Sequence, residues 1–150
     1  MHQSIPREQT VDFQIKHVWH SINRMYNQRG IEYDLTTSIG FVLLNIDSKN
    51  GTPATKIAPL LGMEPRSLSR MLKVLEEKEL IYRKSDLKDK RLVKIFLTET
   101  GKEKKEIAKR TVKQFNQVVQ REISTERLGV FFDVIADLQR IIEKNQVFNS

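Results

Sequence analysis

At 150 residues and 17.6 kDa, with 39% hydrophobic and 30% charged residues, the chain has room for one domain, or one compact lobe plus an appendage, with a real core and a helix-rich surface. The absence of cysteine excludes thiol redox sensing, disulfides and cysteine zinc sites, and suits a reducing compartment. No apolar run approaches the roughly 18 residues of a membrane span, and Met1 to Glu8 lacks the apolar segment of a signal peptide, so a cytoplasmic protein with no membrane partner is expected. The formal net charge of +7 is concentrated in one place: residues 51–110 hold 16 Lys/Arg against 9 Asp/Glu, while residues 1–50 and 111–150 each hold 5 of either sign. A basic block between neutral flanks is the electrostatic footprint expected of a nucleic-acid module on a neutral scaffold.

Taken in chain order, Ile15, Val18, Trp19, Ile22, Met25 and Tyr26 recur at three- and four-residue spacing and predict a helix from about Val11 to Gln28, ended by Gly30. Thr36 caps a second helix through Asn45, whose Ile39, Val42, Leu43 and Ile46 share a face, and Asn50-Gly51 marks a turn. Thr52-Pro53 reads as a hydroxyl cap and first-turn proline opening a short third helix that ends near Gly62, with Pro59 expected to kink or shorten it. Glu64-Pro65 repeats that logic and opens a fourth helix, Arg66 to Lys78, which completes a helix-turn-helix. Leu80–Lys84 and Val93–Leu97 read as two strands joined by a charged tip. Thr98 caps a long helix from Glu99 to about Arg121, and Ser124 or Thr125 caps a last one bearing Leu128, Phe131, Phe132, Ile135, Leu138, Ile141 and Ile142.

The terminal helices are more apolar than one small domain requires. Packing within one chain would satisfy them, but a homodimer interface through Ile15, Trp19, Ile22, Phe131, Ile135 and Leu138 is the favoured expectation, because the alternative leaves large exposed apolar patches.

On the fourth helix, Leu68, Met71, Leu72 and Leu75 form one stripe, expected to face the core. Arg66, Ser69, Arg70 and Lys73 form the opposite, cationic stripe, with Ser67 beside it, and Glu76, Glu77 and Glu79 fill the far end. That polarity suits a recognition helix whose N-terminal half enters the major groove, where arginine can bond guanine O6 and N7 together. The hairpin tip supplies Lys88, Lys90 and Arg91, of which an arginine suits a narrow minor groove. Asp86 and Asp89 are read as internal anchors, Asp89 orienting the wing by pairing with Arg91 or with Arg70. Backbone N–H groups at Ala54 and Thr55, at the start of the third helix, could hold one phosphate.

These residues resemble the MarR-type winged helix-turn-helix transcription regulators, over about Phe13 to Asn145. The most specific match is Asp89-Lys90-Arg91 followed by Val93 to Gly101, which is similar to that family's Asp-x-Arg wing and Leu-Thr-x-x-Gly lead-in to the long helix. Leu61 to Arg70 resembles its turn and recognition helix, and Leu75 to Ile81 its link to the wing. The resemblance implies a homodimer joined through terminal helices, binding palindromic operators, with Asp89 orienting the wing and Arg91 entering the minor groove. It also implies a repressor released by a small-molecule effector. The chain departs from the pattern at Leu87, where proline is frequent, at Lys90, where arginine is, at Glu79, where glycine is, and at Pro59.

The expected fold is therefore mainly α with a small β-hairpin wing, a winged helix-turn-helix plus a helical dimerisation region. Residues 1–34 form the first dimerisation helix, 35–100 the DNA-binding domain and 101–150 the helices completing the dimer region. Double-stranded DNA and a second copy are the expected partners. His17 and His20, three residues apart with Asp12 or Glu32 nearby, fall short of a metal ligand set, and His2 reads as part of a loose terminus. No metal or other cofactor is expected. A cleft lined by Trp19, Tyr26, Phe41 or Phe115 could take an effector, though the same rings fill a core equally well. The other function considered is a winged-helix module whose basic face binds an acidic protein. No Gly-rich phosphate loop, zinc-hydrolase motif or nucleophile–base set points to an enzyme.

Overall fold

The computed structural model describes residues 4–144 and 147–148; His2 and Asn145 lie outside them. The chain divides into two compact units that part between Thr111 and Val112.

In the first unit a 3-10 turn, Arg7–Gln9, leads into helix α1, Val11–Gly30, which is followed by a second short 3-10 turn, Ile31–Tyr33. Gly30 is the last residue of α1, as expected, but it does not close the helix left-handed. It is right-handed and buried, and a Cβ there would lie 1.8 Å from the Leu35 carbonyl oxygen, so the position serves close approach of two backbone segments. The left-handed residue that ends the run is Asp34, at φ 50°. Helix α2, Thr37–Leu44, is capped by Thr36, whose Oγ1 accepts from the Ile39 amide at 3.2 Å. Asn27 of α1 ties the two helices together by accepting from both the amide and the hydroxyl of Thr37, at 2.8 and 2.9 Å.

Thr52–Pro53 does not open the third helix. It is a strand, β1, pairing antiparallel with β3, Val93–Leu97, through Thr52 opposite Ile95 and Pro53 opposite Lys94. The Thr52 hydroxyl accepts from the Asp47 amide at 2.8 Å and caps no helix. Helix α3 runs Ala54–Leu61 with Pro59 inside it, and Gly62, at φ 62°, closes it left-handed. Pro59 is accommodated on the exposed side of this eight-residue helix, which still reaches Leu61. Helix α4, Pro65–Glu77, has proline in its first turn, while Glu64 makes no side-chain cap. Strand β2, Ile81–Ser85, pairs with β3 from Ile81–Leu97 to Ser85–Val93, giving a three-stranded sheet of order β1-β3-β2. The sequence showed two of these strands; the third is too short to carry any periodicity.

Helix α5, Glu99–Glu122, starts in the first unit and runs into the second. Thr98 Oγ1 accepts from the Gly101 amide at 3.0 Å and donates to the Glu79 carbonyl at 2.7 Å, so one hydroxyl caps α5 and holds the end of α4. The core of this unit, fully enclosed at Val42, Leu43, Ile46, Ile57, Leu75 and Ile95, lies among α2, α3, α4, the sheet and the start of α5. Lys105 is buried beside it, and its ammonium donates to the Ile46 carbonyl just past the end of α2, where a cation is favoured. Desolvation, followed by the charge of Lys109, holds its pKa below the ordinary lysine value.

The link from α4 to β2 carries strain. Glu79 sits at φ 57°, in the left-handed region that glycine adopts without penalty. The helix closes as a glycine would close it, the Leu80 amide bonding the Leu75 carbonyl at 2.9 Å and the Glu79 amide the Glu76 carbonyl at 2.9 Å. Glu79→Gly is expected to raise stability by about 0.5–1 kcal/mol, relief of strain outweighing the greater entropy of the unfolded glycine chain. A urea midpoint that falls instead would show that the Glu79 side chain contributes more than its backbone costs.

In the second unit, helix α6, Thr125–Glu143, is capped by Ser124, whose hydroxyl accepts from the Arg127 amide at 3.3 Å. None of its residues is buried. The rings of Phe131 and Phe132 lie 5.5 Å apart and both are more than half exposed.

Candidate nucleic-acid interface

Helix α4 is set by burial. Leu68, Leu72 and Leu75 lie in the core, and Met71 packs against it half-buried. Helical geometry then turns Arg66, Ser67, Ser69, Arg70 and Lys73 outward, and all five are exposed. Among the described residues, none of Arg66, Arg70 and Lys73 has a carboxylate within 4.0 Å. The acidic end of the helix is partly occupied: Glu76 accepts from the Arg83 Nε of β2, a pair the sequence did not suggest, since the two residues belong to different elements.

The start of α3 comes against this helix. Ala54 and Thr55 follow Pro53, which offers no side-chain cap, so the first backbone N–H groups of α3 have no local side-chain acceptor. Ala54, Thr55, Pro65, Ser69 and Arg83 line one concavity of about 460 Å³. The tertiary structure thus brings the first residues of α3 and Ser69 of α4 to a single groove, whose other α4 residues are Pro65, Leu68 and Leu72.

The wing tip is braced from within. The Asp86 amide donates to the Leu92 carbonyl at 2.8 Å, closing the hairpin, and the Asp86 carboxylate accepts from the amides of Lys88 and Asp89 at 2.7 and 3.4 Å. Those two amides, then the charges of Lys94 and Lys88, hold the Asp86 carboxyl below the usual carboxylate range. Asp89 accepts from the backbone amide of Arg91 at 3.1 Å and from its guanidinium Nε at 3.2 Å. Of the two partners considered for Asp89, the ion pair formed among the described residues is therefore the one with Arg91. The arginine side chain is 92% exposed while Asp89 is 40% exposed, so a partly shielded carboxylate steers an otherwise free guanidinium. Lys88, Lys90 and Leu87 are exposed on the same tip.

The residues expected at a dimer interface fall on two helices. On α1, Ile15 and Trp19 are exposed and Ile22 is half-buried; on α6, Phe131 is exposed and Ile135 and Leu138 are half-buried. Trp19 stacks on Phe41 at 5.8 Å and Tyr26 meets Phe41 edge-on at 6.2 Å, so three of the four aromatic residues considered for a cleft gather at the α1–α2 contact. His17 stacks on Phe13 at 5.5 Å. No group of three or more His, Cys, Asp or Glu able to hold a metal occurs among the described residues, and no helix among them is long and apolar enough to cross a membrane.

The MarR family profile matches residues 35–93, which run from just before α2 to the first residue of β3. The HTH-type transcriptional regulator SarZ of Staphylococcus aureus is 33% identical over 117 residues, covering 76% of this chain and 74% of SarZ. In fold, the chain is similar to a MarR/EmrR family transcriptional regulator from Acinetobacter sp. ADP1, with a TM-score of 0.82, 21% identity and coverage of 93% of this chain and 99% of that one. It is also similar to S. aureus MepR, solved as a DNA complex, with a TM-score of 0.76, 24% identity and coverage of 90% and 98%. With the winged helix-turn-helix geometry described above, the SarZ identity and the family match show that the chain belongs to the MarR family of DNA-binding transcriptional regulators.

Proposed function

We propose that this regulator works in the cytoplasm as a homodimer on a palindromic operator, represses transcription there, and is released by a small-molecule effector. The observation that carries operator binding is the exposed cationic face of α4, held by a buried leucine stripe and set in the same unit as the Asp89–Arg91 wing. On this reading Arg66, Ser67, Ser69, Arg70 and Lys73 enter the major groove, Arg91 takes the minor groove with Lys88 and Lys90 contacting DNA beside it, and the Ala54 and Thr55 amides hold a phosphate. MepR, a fold relative, has been solved on DNA. Dimerisation is supported by apolar side chains that a lone chain leaves in water, Trp19 at 43% and Phe131 at 53% exposure, with Phe132 at 62%. The half-exposed Trp19–Phe41–Tyr26 cluster is the place we assign to an aromatic or lipid-like effector. We assign the chain no reaction and no cofactor.

The test is binding to the DNA upstream of its own gene against unrelated DNA of equal length, across a salt series, with the mass of the complex measured in parallel. Tight, site-selective binding by two copies that weakens steeply with salt supports the proposal. Weak binding indifferent to sequence points instead to a basic face that docks an acidic protein. Within the operator-binding outcome, Arg91→Ala is expected to weaken binding at least about tenfold, or 1.4 kcal/mol. Its melting temperature should stay unchanged, because an exposed ion pair contributes little to stability. Full affinity in that variant would remove the wing arginine from the interface.

A further inference from the structure

The outer face of the wing carries positive charge that neither α4 nor the Arg91 tip uses. The strand register sets Lys84 of β2 directly opposite Lys94 of β3. Side chains alternate along a strand, so these lysines share a face with Tyr82 and Phe96, while Arg83 and Ile95 take the other side, where Ile95 is fully buried. Like charges directly opposite one another destabilise a sheet. Here neither lysine has a carboxylate within 4.0 Å among the described residues, although the charge of Lys94 reaches Asp86. A third lysine joins them from the tip. Lys84, Lys88 and Lys94, with Ser85 and the Phe96 ring, line one concavity of about 480 Å³. Its aromatic side is stiff, since Tyr82 stacks on Phe96 at 5.4 Å and 14°. Asp86 also borders it, but its carboxylate is engaged by the Lys88 and Asp89 amides, and one carboxylate leaves the cluster net positive.

A lysine ammonium is a compact point charge on a flexible stem, with no planar fork to read a base edge. Three of them on the flank of a hairpin, beside a tip that offers an arginine, complement the charge of a duplex backbone and nothing more selective. We propose that Lys84, Lys94 and Lys88 form a phosphate clamp on the outer face of the wing, gripping the DNA backbone beside the groove that receives the tip. The clamp rests on the operator-binding reading. It supplies affinity and register and no base information, and it explains why a like-charge pair stands in the middle of the hairpin.

The experiment is the salt dependence of operator binding by the full chain carrying Lys84→Gln and Lys94→Gln together. Removing two lysine–phosphate contacts should lower the slope of log affinity against log salt by about 2. Operator and scrambled duplex should weaken by the same factor, and the melting temperature should hold or rise, since a repulsion has been removed. The paired Lys84→Arg, Lys94→Arg variant should keep the slope. Lys113→Gln, which removes charge from α5 outside the wing, should leave it unchanged. A double glutamine variant with the wild-type slope, or one that weakens the operator selectively, overturns the clamp while leaving the regulator reading intact, as does a Lys113→Gln variant that lowers the slope as much. Wild-type protein with no salt-dependent duplex binding removes both.

Discussion

Ile95→Ala is expected to lower the unfolding free energy by about 2–5 kcal/mol, the cost of a buried isoleucine truncated in a site that cannot collapse around the gap. Ile95 has no exposed surface, and its strand is the central one of three, with Thr52 opposite on one side and Arg83 on the other. Its side chain packs in the cluster that holds Leu75 of α4 and Ile57 of α3, so the cavity would open where the sheet meets both helices of the helix-turn-helix. The backbone around it is pinned on two edges by ladder hydrogen bonds, which limits relaxation. Ile95→Val, which removes one methylene, should cost only about 0.5–1.5 kcal/mol. Urea unfolding at equilibrium measures both, and an unchanged dependence on denaturant would show that stability rather than compactness has altered. A loss below about 1 kcal/mol for the alanine variant would mean that β3 is not the centre of the core.

Arg70→Ala should remove roughly 1–3 kcal/mol of discrimination between the operator and a site altered at one guanine, with no change in melting temperature. Arg70 stands on the outward face of α4, one position before the half-buried Met71, and has no carboxylate within 4.0 Å among the described residues. A guanidinium held on a rigid helix and left without an internal partner can present two parallel donors to O6 and N7 of one base. Arg70→Lys should not restore discrimination, because an ammonium lacks the fork. Equal weakening on every duplex would make Arg70 a phosphate contact, and lower thermal stability would make it a brace within the protein.

Much of the fold was legible in the sequence, and the particular residues show why. The caps at Thr36, Thr98 and Ser124 are hydroxyls bonding amides three residues on, so the signal and its effect lie within one helical turn. The leucine stripe of α4 is a matter of angular spacing, and its opposite face follows by elimination. The tip aspartates act on amides two and three residues away, again within local reach. Misreadings arose where a local cue met a distant partner. Thr52-Pro53 has the composition of a helix start, yet its extended backbone is recruited by β3, more than 40 residues later in the chain. Gly30 does end α1, but the reason for a glycine there is its missing Cβ against Leu35 rather than a left-handed closure.

By itself the sequence determined where the helices lie, which face of each is apolar, where the positive charge is concentrated, and that a braced cationic hairpin follows a basic helix. These properties depend on dihedral preference, periodicity and hydrogen bonds closed within a few residues, which any chain segment carries with it. The tertiary structure alone decided that Lys84 faces Lys94, that Glu76 is taken by Arg83, that Lys105 is buried against the end of α2, and that Ala54 and Thr55 at the start of α3 share a groove with Ser69. Each of these joins residues whose separation along the chain carries no periodic signal. They are settled by strand register and by the packing of helices around one core, where a shift of a single residue would turn every side chain to the opposite face.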